Sequence, residues 1–264
     1  MSNQVDFRAE AEALREQLVA WRRDFHMHPE LAFQEHRSAE VIAERLRELG
    51  YQVQTGVATT GVVALLKGRQ PGPVVMLRFD MDALPITEEN ETDYVSQNPG
   101  VMHACGHDAH MAMGLGVATL MMKHRDKITG TLKLVFQPAE EGANGAEAMV
   151  REGVLENPRP DVILVTHVWN DKPVGTVDVS PGAIMAAAEK WTCTVRGKGG
   201  HGAMPHLTVD PIVATAQIVT ALQTVISRNV SPLETAAVTV GAVHGGNAFN
   251  VIPSQVEMIG TIRT

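Results

Sequence analysis

The chain has 264 residues, 44% of them apolar and 20% charged, and a net charge of −8. That is enough for one large domain or two smaller ones with a full apolar core. The acidic balance, without any Lys/Arg-rich run, disfavours nucleic acid and anionic membrane as partners, and no stretch reaches the roughly 18 to 20 apolar residues of a membrane span. The opening segment is charged and helical in pattern, unlike a signal peptide. Cys105 and Cys193 cannot make a disulfide framework, so a reduced, cytoplasmic setting is the default expectation.

Phe7, Ala11, Leu14, Leu18, Trp21 and Phe25 recur at helical spacing and predict one opening amphipathic helix. A second helix is predicted from Ser38 to Leu49, stopped by Gly50. "GVVALLKG" and "PVVMLRFDMDAL" read as strands with "KGRQPGP" as the turn between them. A helix is predicted over Asp108–Lys123, then a strand in "TGTLKLVFQPAEE", a short helix in "NGAEAMVREG", and a buried strand in "DVILVTHVWN" ending at His167. This alternation predicts an α/β layered domain.

The texture changes near Ala183, which divides the chain into 1–183 and 184–264. "KWTCTVRG" alternates, with Trp191, Cys193 and Val195 on one face of a half-exposed antiparallel strand. Asp210-Pro211 supplies an N-cap and a first-turn proline for a helix to about Ser227. "TAAVTVGAVHGG" and "VEMIGTIRT" are two further strands, giving a β-α-β-β domain of one sheet and packed helices. "VEMIGTIRT" stops mid-strand, which reads as an open sheet edge and leads to the expectation that a C-terminal portion is lacking.

"VMHACGHDAHMAM" packs three histidines and a cysteine into eight residues beside an aspartate. It is either a metal site or a polar turn entering a helix. Three other polar groups fall where predicted strands end: Asp80 and Asp82, the pair Glu140-Glu141, and His167. In open α/β sheets, ligands collect beyond the carboxyl ends of strands. Thiolate, imidazole and carboxylate together suit zinc or a neighbouring transition metal. In an adjacent acid pair, one carboxylate can bind metal while the other takes a proton from water and delivers it to a leaving amine. Taken singly, each group also fits an ordinary role: a turn aspartate, a solvated glutamate pair, a hydrogen-bonded histidine. His26, His28, His36, His110 and His124 fit structural roles, and Met111, Met113, Met121 and Met122 fit core packing. In the second domain, "RGKGGHGAMPH" and "HGGNAFNVIP" place His201 and Asn250 in glycine-rich loops. These are either a binding surface or a plain hairpin.

Six ordered motifs, "RRDFHMHPELAFQEHRSAEVI", "RFDMDALPI", "MHACGHDAHMAMGLG", "LVFQPAEEGANGA", "GKGGHGAMPH" and "GGNAFNVIP", span essentially the whole chain. Together they resemble the metal-dependent aminoacylase and hippurate-hydrolase amidohydrolases, which include the plant auxin-conjugate hydrolases. The resemblance implies a zinc-peptidase-like (phosphorylase/hydrolase-like) three-layer α/β catalytic domain. It also implies an inserted α+β, ferredoxin-like lid that pairs two subunits into a homodimer. It implies that Cys105, His107, Glu141 and His167 bind metal and that Glu140 is the general base. His201 would reach a substrate site and Asn250 would bind substrate, with Asp80 and Asp82 in support. Two divalent ions (Zn, Mn, Co or Ni) are implied per site.

The implied reaction is hydrolysis of an N-acyl amino acid to a carboxylate and a free amino acid. N-acetyldiaminopimelate deacetylation and carboxypeptidase-like activity are the alternatives. Relatives continue well past Thr264 and supply a further histidine ligand there. The expectation is therefore that this chain binds metal poorly and turns over little, and an inactive protein kept for binding or assembly is the reading of another class.

Overall fold

The computed structural model describes residues 5–264 and divides into two packed units, one ending at Lys172 and one running from Pro173 to Thr264. Among the described residues, no helix is long and apolar enough to cross a membrane.

The first unit opens with α1 (Phe7–Ala13) and α2 (Arg15–Met27). The predicted single helix is therefore split. The Asp6 carboxylate caps the start of α1 by accepting from Ala9 N at 3.0 Å. At Leu14 the backbone N–H turns to the Ala11 carbonyl, a tightened last turn that ends the first segment. α3 (His36–Glu48) follows and stops at Gly50, whose φ of +92° suits glycine. Next come β1 (Gln52–Val57), β2 (Gly61–Lys67), β3 (Gln70–Asp80), α4 (His107–Lys123), β4 (Thr129–Gln137), α5 (Gly145–Arg151) and β5 (Val162–Val165).

The sheet order is β1-β2-β4-β3-β5, with β1, β2 and β4 antiparallel to one another in turn and β4, β3 and β5 parallel. β2 and β3 are thus not neighbours, because β4 inserts between them. β1 is absent from the sequence-based reading. Its side chains are mostly exposed, so it lacks the apolar run that marks the other strands.

Period-two alternation sorts the strands into two cores. Val62, Ala64, Leu66, Leu132, Leu134 and Phe136 meet Phe25, Ile42, Leu46, Met111 and Leu115 from α2, α3 and α4. On the other face, Val63, Val135 and Met76 meet Met149 of α5. Met111 is fully buried, and Met113, Met121 and Met122 pack against the larger core. β5 departs from expectation. Its apolar run predicts burial, but it is an edge strand whose residues Val162 to Val165 are 47–57% exposed.

The parallel register places the site. Asp80 lies opposite Gln137, and Arg78 opposite Val165. The chain leaving β3, β4 and β5 therefore emerges at one sheet edge, carrying Asp82, Glu140-Glu141 and His167 with it.

The second unit contains β6 (Ala188–Arg196), β7 (Gly200–His201), α6 (Pro211–Asn229), β8 (Ala237–His244), β9 (Val251–Ile252) and β10 (Gln255–Arg263). Asp210 Oδ1 caps α6 by accepting from Ile212 N at 2.8 Å. The antiparallel order is β6-β10-β8, so "VEMIGTIRT" is the central strand, not an open edge; Arg263 pairs with Ala188 on one side and Ala237 on the other. Gly260 faces Trp191 across this ladder, and a Cβ there would fall 2.4 Å from the Trp191 ring.

Candidate metal centre

Cys105, Gly106 and His107 form the turn that opens α4. Gly106 has φ +91°, and a Cβ on it would lie 2.4 Å from Val168 Cγ2. Glycine lets this turn close onto the segment after β5. Cys105 Sγ comes within 3.4 Å of His167 Nε2.

The histidine tautomers follow from acceptors that cannot donate. His107 Nδ1 donates to the Asp82 carbonyl at 2.8 Å, and His167 Nδ1 donates to the Val168 carbonyl at 2.5 Å. In the neutral form of each ring this leaves Nε2 as the lone pair available to a metal. Burial lowers the His107 pKa, but the Asp82 and Asp80 carboxylates outweigh it and raise it, so metal binding there would displace a proton. His107 Nε2 lies 4.0 Å from both Glu140 Oε2 and Glu141 Oε1. Ligand atoms of Cys105, His107 and His167 lie within 4.8 Å of one another, as do those of His107, Glu140 and Glu141.

Buried atoms without a hydrogen-bond partner include His107 Nε2 and Glu141 Oε1. An imidazole lone pair and a carboxylate oxygen left unpaired in the interior are costly. A divalent cation between them satisfies both, since metal–nitrogen and metal–oxygen bonds of roughly 2.0 to 2.2 Å span such a gap. Charge points the same way. Burial pushes the Cys105 thiol up to about 12, with the Glu141, Glu140 and Asp80 carboxylates acting in the same direction. A bound cation inverts that balance and favours thiolate. Burial raises Glu140, and the neighbouring Glu141 charge raises it further. The donor set thus fits a divalent metal.

Asp80 and Asp82 act on the surroundings of this set. Asp82 Oδ2 accepts from Glu141 N at 2.9 Å. Asp80 accepts from His110 Nδ1 at 2.5 Å and from Arg78 Nη1 at 2.6 Å. Burial works to raise Asp80, but His110, His107 and Arg78 outweigh it and hold the carboxyl down at about 2. In the second unit, His201 on β7 pairs with Val251 on β9, and Gly202 N donates to the Asn250 carbonyl at 2.8 Å. That two-stranded ladder, closed between segments distant in sequence, brings His201 and Asn250 together.

The model of peptidase family M20/M25/M40 matches residues 76–263. The chain belongs to this family. It is similar to an N-acyl-L-amino acid amidohydrolase of Geobacillus stearothermophilus, 48% identical over 94% of this chain and 66% of the relative. It therefore spans just under two thirds of that relative's length. A solved Staphylococcus aureus structure described as an aminohydrolase shares 41% identity, with TM-score 0.91 over 97% of this chain and 68% of the other. The Bacillus subtilis YXEP protein, a dinuclear metal binding peptidase from the M20 family, shares 39% identity, with TM-score 0.80 over 96% and 65% of the two chains.

Three further residues of this M20 chain support the site: from sequence His110 and His26 fit structural roles, and Glu35 is not singled out. His110 stacks on His107 with ring centroids 5.5 Å apart and accepts from Val168 N at 2.9 Å, tying β5's exit to Asp80. Its spacing of three from His107 puts both on one helix face, a signal present in the sequence. His26 bridges Asp108 and Glu88 at 2.7 and 3.0 Å. Glu35 is fully buried beneath the Glu140-Glu141 turn. Neither of the last two has a local signal, because their partners lie far along the chain.

Proposed function

We propose that this chain carries the metal-binding part of an M20 amidohydrolase that cleaves the amide bond of N-acyl amino acids, of hippurate or N-acetyl type. The convergence of unpaired, buried His107 Nε2 and Glu141 Oε1 beside Cys105 and His167 carries this reading. The name of the Geobacillus relative supports the substrate class. In this proposal Cys105, His107, Glu141 and His167 hold metal, and two divalent ions occupy the site. Residues 1–183 form the zinc-peptidase-like catalytic domain and 184–264 the lid through which two copies pair.

When bound, the metal supplies Lewis acidity and an activated water. Glu140, beside the metal-binding Glu141 and not itself assigned to the metal, accepts a proton from water and passes it to the departing amine. Asp82 fixes the His107 tautomer and holds the Glu141 backbone. His201 steadies the oxyanion and Asn250 binds substrate.

The test joins elemental analysis of the purified protein to a panel of hippurate, N-acetylmethionine and N-acetyldiaminopimelate. Bound metal that falls in Cys105→Ala, with hydrolysis lost but metal kept in Glu140→Gln, is the expected result. Unchanged stoichiometry in Cys105→Ala, or an unchanged rate in Glu140→Gln, overturns the corresponding role. Preference for N-acetyldiaminopimelate moves the substrate class to the diamino acids.

A further inference from the structure

The Glu140-Glu141 turn is held from two directions by buried carboxylates. Asp82 accepts from Glu141 N on one side. On the other, Glu35 Oε1 accepts from Ala139 N at 2.9 Å, and Thr60 Oγ1 donates to Glu35 Oε2 at 2.5 Å. Glu35 has no exposed surface. Burial raises its carboxyl above the usual range, opposed by the Thr60 hydroxyl and backbone N–H groups. A carboxylate so placed is expensive to bury, and nothing in the larger apolar core requires one.

The backbone around Glu35 shows what it holds. Ala139 has φ +54°, Phe33 +60°, Ala58 +51° and Thr59 +76°. These side-chain-bearing residues sit in the left-handed region, which is strained for them, and persist only where their surroundings enforce it. All four lie in the three loops that meet at the Glu35 carboxylate. Ala139 directly precedes Glu140. Its left-handed turn is further fixed by Gly145 N, which donates to the Ala139 carbonyl at 2.9 Å.

We infer that Glu35 is a positioning residue for the metal site: it holds Ala139 left-handed and so aims Glu140 and Glu141 at His107. This rests on the reading of Glu141 as a metal ligand.

The test is a double-mutant cycle on Co²⁺ affinity, read by cobalt–thiolate absorption at Cys105, using wild type, Glu35→Ala, Glu141→Ala and the double variant. Residues acting through one another are non-additive, whereas a general loss of stability multiplies with the ligand loss. Glu35→Ala is expected to weaken Co²⁺ by about 10- to 100-fold, the range for groups that orient ligands. The double variant should bind no worse than Glu141→Ala alone. Glu35→Gln, which keeps an acceptor for Ala139 N–H, should restore affinity. Wild-type affinity in Glu35→Ala, or losses that multiply in the double variant, overturns the inference. Wild-type affinity in Glu141→Ala overturns the ligand reading instead, and this role for Glu35 with it. Should Glu35→Ala fail to fold, Thr60→Val takes its place in the cycle, with the same two outcomes.

Discussion

The His107 ring and the Asp82 backbone are joined by one hydrogen bond, Nδ1–H to carbonyl oxygen at 2.8 Å, between residues on different elements of the fold. The same aspartate uses its side chain on Glu141 N. One residue therefore sets the tautomer of an imidazole and the backbone position of a carboxylate. Asp82→Ala keeps the carbonyl and removes the carboxylate. Metal affinity should fall by about 10- to 100-fold while Nε2 of His107 stays available. Competition against a chelator measures this, and an unchanged dissociation constant would count against the positioning role of Asp82.

Gly106 predicts a steric result. A Cβ at its φ of +91° is strained, and it also meets Val168 at 2.4 Å. Gly106→Ala should cost about 1–3 kcal/mol in chemical denaturation. It should also weaken metal binding, because relief of the clash separates Cys105 from His167. Equal metal affinity in the two proteins would show that the turn tolerates the displacement.

The two cores predict where the fold is sensitive. Leu134 is fully buried between β2 and β3, whereas Leu164 on β5 is 51% exposed. Leu134→Ala should cost about 2–5 kcal/mol, the usual range for an emptied core site. Leu164→Ala should stay within roughly 1 kcal/mol, because little apolar area leaves water there. Urea unfolding of both variants checks the contrast, and equal losses would contradict the exposure of β5.

These two leucines also mark what the sequence could and could not say. An apolar run identifies a strand, so both strands were legible. Burial depends on what lies across each face, which "DVILVTHVWN" does not encode, so β5 reads as buried and is exposed. The meeting of Asp82, Glu140-Glu141 and His167 was legible because each group follows a strand and parallel strands end at one edge. β1 carries no apolar run, and the break at Leu14 is a local turn inside a continuous helical pattern. Glu35 and His26 gain their partners only when the chain has folded, so composition and spacing leave them undistinguished from surface residues. The place of "VEMIGTIRT" at the centre of its sheet is likewise topological, because strand order is not written in any single strand.

His26 predicts a pH dependence of stability. Its ring is buried, with Nδ1 2.7 Å from Asp108 Oδ2 and Nε2 3.0 Å from Glu88 Oε1. The Asp108 hydrogen bond raises its pKa most; burial opposes this, Glu88 adds to the rise, and the Arg22 charge subtracts from it. His103 nearby is pushed down to about 4, chiefly by burial, and so adds no positive charge near neutrality. A histidine raised in the folded state stabilises fully below its unfolded pKa of about 6.5 and loses that contribution as pH rises through the folded value. Burial opposes ionisation of Asp108 and Glu88. The His26 hydrogen bond together with nearby positive charge, Arg22 included, nevertheless lowers Asp108, and the His26 hydrogen bond together with those from Ser96 N and Asn90 lowers Glu88, so their contribution disappears as pH falls through their folded values. The charged network therefore contributes between about pH 4 and 6.5 and weakens on the alkaline side. The melting-temperature gap between wild type and His26→Asn should be widest near pH 5.5 and narrow toward pH 8. A gap independent of pH across that range would show that His26 acts by packing alone, with its ring against Tyr94, and not as a charged bridge between α4 and the loop that carries Glu88.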